Sequence, residues 1–182
     1  NGTISPDDTT ATVGRGSQQL SIDYGSATSC TNRSPSFNLS TMYGHVLVKF
    51  TDATPAGSVN FLRIYDSGVN VRAIITLTTS GTLTFAHGSN SVTTVGTISS
   101  DTWTHIWFRY TISSGSNDGV YYVAFSTTRD EPSSGNNYAS GTNGTSTQNA
   151  AYLYTMLSNA NAGVSYLDQV LVRSTSIGTV CE

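Results

Sequence analysis

Residues 101–110 read Asp-Thr-Trp-Thr-His-Ile-Trp-Phe-Arg-Tyr, and they place two Trp, a His and an Arg on one short segment. In an extended chain successive side chains point to opposite faces. Trp103, His105, Trp107 and Arg109 therefore share one face, and Ile106, Phe108 and Tyr110 share the other. Neither is plainly a solvent face, so the strand belongs in the middle of a layered β structure. A face that mixes indole, imidazole and guanidinium suits a packed core or a groove for a sugar.

Working outward, short β-type runs alternate with turn signals: Gln19–Tyr24, His45–Thr51, Val59–Tyr65, Val71–Thr78, Thr82–His87, Ser91–Val95, Thr102–Ile112, Val120–Ser126, Ala151–Met156 and Tyr166–Arg173. The connectors Asp66-Ser67-Gly68, Ser80-Gly81 and Asn117-Asp118-Gly119 contain the Gly or Asn that supplies positive φ in tight hairpins. No convincing helix interrupts the series. The pattern predicts an all-β fold, a two-sheet antiparallel β-sandwich. Residues 1–14 are polar and without sustained alternation, and are read as an arm; residues 15–182 form one domain. The stretch Thr127–Asn149 carries Pro132 and several Gly and Asn, and is expected to be a long loop at the rim of a binding face.

Composition supports this reading. Close to a third of the 182 residues are Ser or Thr, while charged residues make up 10%, far below the roughly 25% of an average domain. The only lysine is Lys49, and Glu131 and Glu182 are the only glutamates, so strong helix formers are scarce. The net charge of −3, without a basic cluster, argues against nucleic acid as a partner. No apolar run suggests membrane insertion.

Several features point to an extracellular, secreted protein. The sequence starts at Asn1 without an initiator Met, as a processed or trimmed chain would. Cys30 and Cys181, the only cysteines, are compatible with one disulfide closing a very long loop or with two separate thiols. Asn1, Asn32, Asn38 and Asn143 each open an Asn-X-Ser/Thr sequon for glycosylation.

DTWTHIWFRYTI, followed by an Asn-Asp-Gly turn and the strand VYYVAFS, resembles the core strand and partner of laminin-G-like, concanavalin A-like lectin-glucanase jelly rolls. The segment YLDQVLVR at 166–173 resembles the last strand of that superfamily, and GSQQLSID at 16–23 its first. The resemblance implies a concanavalin-like jelly roll and, as the leading expectation, binding of a glycan or glycoprotein.

A retaining glycosidase needs two carboxyl groups about 5 Å apart, and both glutamates lie outside the expected strands. A lyase would need a His, a Tyr and an Arg or amide on one face; His105, Arg63, Arg109 and Tyr110 supply the types, but Tyr110 faces away from His105. On this basis no catalytic residue is assigned and the chain is expected not to be an enzyme. Stacking of a sugar on Trp107, with Arg109 or Arg63 bonding hydroxyls, is the expected ligand site. Trp103 and His105 are read as core. Calcium is the candidate cofactor, with Asp23 and Asp168 as ligands if the first and last strands pair.

The leading expectation is an extracellular, non-catalytic carbohydrate-binding or adhesion module. The alternative is a structural subunit of a filament, sheath or viral appendage, self-assembling as the arm adds a strand to a neighbour's sheet. A polysaccharide lyase comes third.

Overall fold

The computed structural model describes residues 3–6, 20–23, 30–34, 36–144, 146–157 and 165–177. Among them are β1 (Thr3–Pro6), β2 (Leu20–Asp23), β3 (Cys30–Arg33), β4 (Thr41–Phe50), β5 (Val59–Tyr65), β6 (Val71–Leu77) and β7 (Leu83–His87). They are followed by β8 (Asn90–Thr93), β9 (Thr104–Thr111), β10 (Gly119–Ser126), β11 (Tyr138–Asn143), β12 (Tyr152–Leu157) and β13 (Ser165–Arg173). One sheet has seven strands in the order β1-β2-β13-β4-β9-β10-β11, and the other six in the order β3-β12-β5-β6-β7-β8. Every pairing is antiparallel. The expected two-sheet sandwich is the observed architecture.

The strand quoted first, β9, lies between β4 and β10 in the seven-stranded sheet. Its Ile106, Phe108 and Tyr110 are fully buried and join Val46, Val48, Phe61, Ile75, Phe85 and Val123 in the core between the sheets. Phe108 lies over Gly44 of β4: a Cβ on Gly44 would run into the Phe108 ring. The sheet accommodates this large ring because its cross-strand neighbour has no side chain.

Three strands escaped the sequence reading. β11 lies within the expected loop Thr127–Asn149, because YASGTN lacks the β-branched, alternating pattern of a half-buried strand and holds its place at the sheet edge through pairing with β10. β1 lies within the expected arm, where it adds a strand to its own sheet beside β2, and β3 pairs with β12. Asn117 (φ 60°) and Gly81 (φ 79°) supply positive φ as expected, but in the 66–70 turn it is Val69 that does so, at φ 60°. There Asp66 Oδ1 accepts from the Asn70 backbone NH at 2.9 Å, and the carboxylate is also ion-paired with Arg72, which together hold the turn against the cost of that conformation.

One flank of the sandwich is sealed. Val95 N and Gly96 N, just after β8, both donate to Asn136 O, just before β11, at 3.0 and 2.7 Å. Asn90 Nδ2 donates to Thr142 O at 2.8 Å, and Asn143 Nδ2 donates to His87 O. These bonds join the edge strands of the two sheets.

Candidate functional site

The outer face of the seven-stranded sheet carries the chemistry. Register places His45 opposite Trp107, which is opposite Ala124, which is opposite Tyr138. One step along, Arg173, Tyr43, Arg109 and Tyr122 align across β13, β4, β9 and β10. Arg109 sits over the Tyr43 ring at 5.3 Å and donates from Nε to Thr111 Oγ1 at 3.0 Å.

Two histidines form the first cluster. His45 Nε2 and His105 Nδ1 are 3.0 Å apart, and both rings contact Trp107, at 5.2 and 5.5 Å between centroids. His45 is completely buried. Burial, reinforced by the neighbouring His105, lowers its pKa to about 4, and the backbone of Gln169 pulls weakly the other way. That backbone reaches His45 from the bulge that interrupts β13 between Asp168 and Leu171, where Gln169 has φ 47°. His105 is half-buried and is also lowered, first by desolvation and then by the charge of Arg129. Both imidazoles are therefore neutral at neutral pH.

The second cluster is a pocket of about 370 Å³ lined by Tyr122, Asp130, Glu131, Pro132, Ser133, Tyr138 and Ser176. The segment between β10 and β11 folds over the sheet and brings Glu131 onto Tyr122, whose hydroxyl donates to Glu131 Oε1. Burial, followed by this carboxylate, pushes the Tyr122 phenol far up, so it stays a neutral donor. The Tyr122 and Tyr138 rings are 5.5 Å apart and tilted by 32°.

The residues singled out from the sequence are distributed differently from expectation. Trp107 is 1% exposed and its indole Nε1 has no partner, so the expected stacking platform is a packed ring; close packing under its neighbours removed the face that strand alternation had suggested was open. Arg109 is half-exposed on the same face. Arg63, on β5, lies opposite Tyr154 and Ile74 in the other sheet, with the core between it and Arg109, so the three cannot form one site.

The strands of Asp23 and Asp168 do pair, but in a register that separates the two residues. Ser165 faces Ile22 and Leu167 faces Leu20, so Asp23 adjoins one end of the paired stretch and Asp168 the other. Among the described residues no group of three or more His, Cys, Asp or Glu is positioned to hold a metal.

Of the cysteine pair, Cys30 opens β3 and Cys181 lies outside the described residues, as does Asn1. Asn32 is on β3. Asn38 is exposed, with its Oδ1 accepting from Asn149 Nδ2 at 2.7 Å. Asn143 is fully buried; its amide donates to His87 O and its Oδ1 accepts from Ser146 N at 3.0 Å. A glycan on that amide does not fit this fold.

Tyr122, Tyr138, Glu131 and His45 were not singled out as site residues. The Tyr121-Tyr122 doublet held the signal, because alternation sends Tyr121 into the core and leaves Tyr122 on the outer face.

No protein-family model matches the chain, and no curated protein matches it. Among solved structures, "Cellulose induced protein, Cip1" superposes with a TM-score of 0.66 at 14% identity, covering 98% of this chain and 88% of that one. The carbohydrate binding module CBM66 from Bacillus subtilis gives 0.51 at 10% identity, covering 96% and 92%. The fold is a concanavalin-like jelly roll. An endo-β-1,4-glucuronan lyase from Trichoderma reesei shares the same jelly roll, with a TM-score of 0.66 at 13% identity and coverage of 96% and 87%. That finding corrects the expectation of a non-enzyme. The exclusion rested on the missing carboxylate pair and on Tyr110 facing away from His105, and a lyase on the same fold removes the ground for it. No helix among the described residues is long and apolar enough to cross a membrane.

Proposed function

We propose that the outer face of the seven-stranded sheet binds a carbohydrate chain, with one sugar seated in the pocket of Tyr122 and Tyr138. The observation that carries this reading is the pairing of two tyrosine rings with Asp130 and Glu131 around one opening. A sugar presents an apolar C–H face and a rim of hydroxyls, which match an aromatic ring and a carboxylate acceptor respectively. The two acidic side chains favour a neutral sugar in this pocket. A carbohydrate binding module and a glucuronan lyase sharing the fold support the class of ligand. Affinity electrophoresis in neutral glucans and mannans tests it. Tyr138→Ala and Glu131→Gln are expected to abolish the retardation of the wild-type chain while leaving its melting temperature within a few degrees. Unchanged retardation in both variants defeats the assignment.

A second reading, cleavage of a uronate-containing polysaccharide by elimination, is favoured by the His45–His105 contact. If the Nδ1 proton of His105 is donated to His45 Nε2, the lone pair on His105 Nε2 is left to accept a proton. In such a reaction the base removes the proton on the carbon next to the uronate carboxyl. Those electrons then form a C=C bond and expel the glycosidic oxygen, which is protonated to give a new reducing end. Incubation with glucuronan, alginate and polygalacturonate, followed by ultraviolet absorbance of the unsaturated product, decides this reading. Loss of signal in His105→Gln supports it, and no absorbance on any of these polymers removes it.

A further inference from the structure

The outer face of the six-stranded sheet, on the far side of the core from the pocket, has a composition of its own. Register aligns Arg33, Tyr154, Arg63 and Ile74 across β3, β12, β5 and β6, with Tyr152 opposite Tyr65 beside them. The rings are interleaved with the cations. The Arg33 guanidinium lies over the Tyr152 ring at 5.0 Å, and the Tyr65 and Tyr154 rings are 4.3 Å apart. Arg33 is exposed, and the Nε of half-buried Arg63 is shielded from water without a hydrogen-bond partner.

Among the described residues no carboxylate is ion-paired with Arg33 or Arg63. Among the described residues the acid adjoining this face is Asp66, already committed to Arg72 and Asn70. Asp130 and Glu131 line the pocket on the opposite side, and Asp118 is tied to the turn between β9 and β10, accepting from Ser113 and Ser114. A chain of net charge −3 thus turns a positive, aromatic surface outward on this side. The two arginine positions flank Tyr154 on the strands to either side, their backbones two strand spacings or about 10 Å apart.

We propose that this face is a second binding site, separate from the pocket, and that its ligand is an anionic glycan bearing carboxylate or sulfate groups. The charge decides the class: guanidinium groups bind carboxylate and sulfate oxygens through paired N–H donors, and the arginine left without a carboxylate supplies them. The tyrosines between the cations offer ring faces to sugar C–H groups, which an inorganic anion would not use. Two guanidiniums are too few to neutralise the phosphates along a nucleic acid duplex. The site accounts for Arg63, which the fold places on the sheet opposite that of Trp107 and Arg109.

The test uses the full chain and calorimetric titration with polygalacturonate and with chondroitin sulfate, alongside cellohexaose and a DNA duplex. Wild type is expected to bind at least one of the two anionic polymers. Arg33→Gln and Arg63→Gln are each expected to weaken that binding by roughly tenfold, the effect of losing one charge-assisted hydrogen bond. Arg33 sits exposed on an edge strand, so its substitution keeps the test valid even where Arg63→Gln perturbs the fold. Tyr138→Ala is expected to leave anionic binding unchanged, which separates this site from the pocket. Absence of binding to both anionic polymers overturns the proposal. So does equal affinity in Arg33→Gln, a loss shared with Tyr138→Ala, or binding of the DNA duplex as tight as that of the glycan.

Discussion

His45 Nε2 and His105 Nδ1 meet at 3.0 Å on neighbouring strands, and a hydrogen bond between two neutral imidazoles allows only one of those nitrogens to carry a proton. Protonating both rings destroys the bond and sets two like charges side by side. The pair is stable only as long as at least one ring stays neutral, and this gives the fold a pH dependence of its own.

The first prediction concerns that dependence. His45 and His87 both have pKa values lowered from 6.5 to about 4, His45 by burial and then by His105, His87 by burial alone. The unfolded chain then binds more protons than the folded one between those values. Stability is full above pH 6.5 and is lost as pH falls towards 4. Asp66 is lowered to about 2 with Asn70 and Arg72 as partners, so its contribution disappears only in a second, more acidic window below the ordinary carboxylate range. Thermal melting followed from pH 8 to pH 3 is expected to show a decline beginning near pH 6.5, and a flat profile down to pH 4.5 contradicts it.

His87 isolates one component of this effect. Its ring is fully buried against Tyr110 and Tyr121, at 4.6 and 5.2 Å, and neither ring nitrogen has a hydrogen-bond partner. A buried polar atom without a partner costs about 1–3 kcal/mol. His87→Phe keeps an aromatic ring in place and removes that cost. The melting temperature at pH 7 is expected to hold or rise, and the acid decline to shrink. A loss of more than a few degrees at pH 7 argues that His87 has a polar partner after all.

Trp107 is expected to behave as a core residue. Its Nε1 bonds to nothing, so Trp107→Phe forfeits no hydrogen bond, whereas Trp107→Ala is expected to cost about 3–5 kcal/mol in chemical denaturation. Loss of glycan binding in a Trp107→Phe variant of unchanged stability, read by affinity electrophoresis, identifies Trp107 as a contact residue instead.

Gly44 offers a test of the close approach between β4 and β9. Gly44→Ala drives a methyl group into the Phe108 ring and is expected to destabilise by about 1–3 kcal/mol. Adding Phe108→Leu, which withdraws the obstructing ring edge, is expected to make the second substitution cheaper than it is in the wild-type background. Additive costs in the double variant place the strain elsewhere.

The sequence made the central strands legible and the edges illegible, for the same physical reason. β9 and β10 carry large side chains on alternating faces, so a period of two stands out in THIWFRYT and GVYYVAFS. Edge strands β1, β3 and β11 are short and polar, and their pairing rests on backbone groups that composition does not reveal. The site was legible only in part. Alternation correctly put His105, Trp107 and Arg109 on one face, but it gave no measure of what covers that face. Trp107 is buried there, and Tyr122 gains Glu131 from the segment expected to form a loop at the rim of a binding face. Arg63 and Arg109 were paired by chemical type, whereas the decisive fact, that β5 and β9 belong to different sheets, depends on topology.

The sealed flank ties the margins of the two sheets to each other. Bonds from Val95, Gly96 and Asn90 across to the β11 side clamp the two sheets together there, whereas the opposite flank ends in the four-residue strands β1 and β3. Amide protons of β8 and of the residues just after it are expected to exchange late, which hydrogen exchange followed by NMR checks. The Tyr122 pocket, bordered by Tyr138 of β11, lies toward this clamped flank.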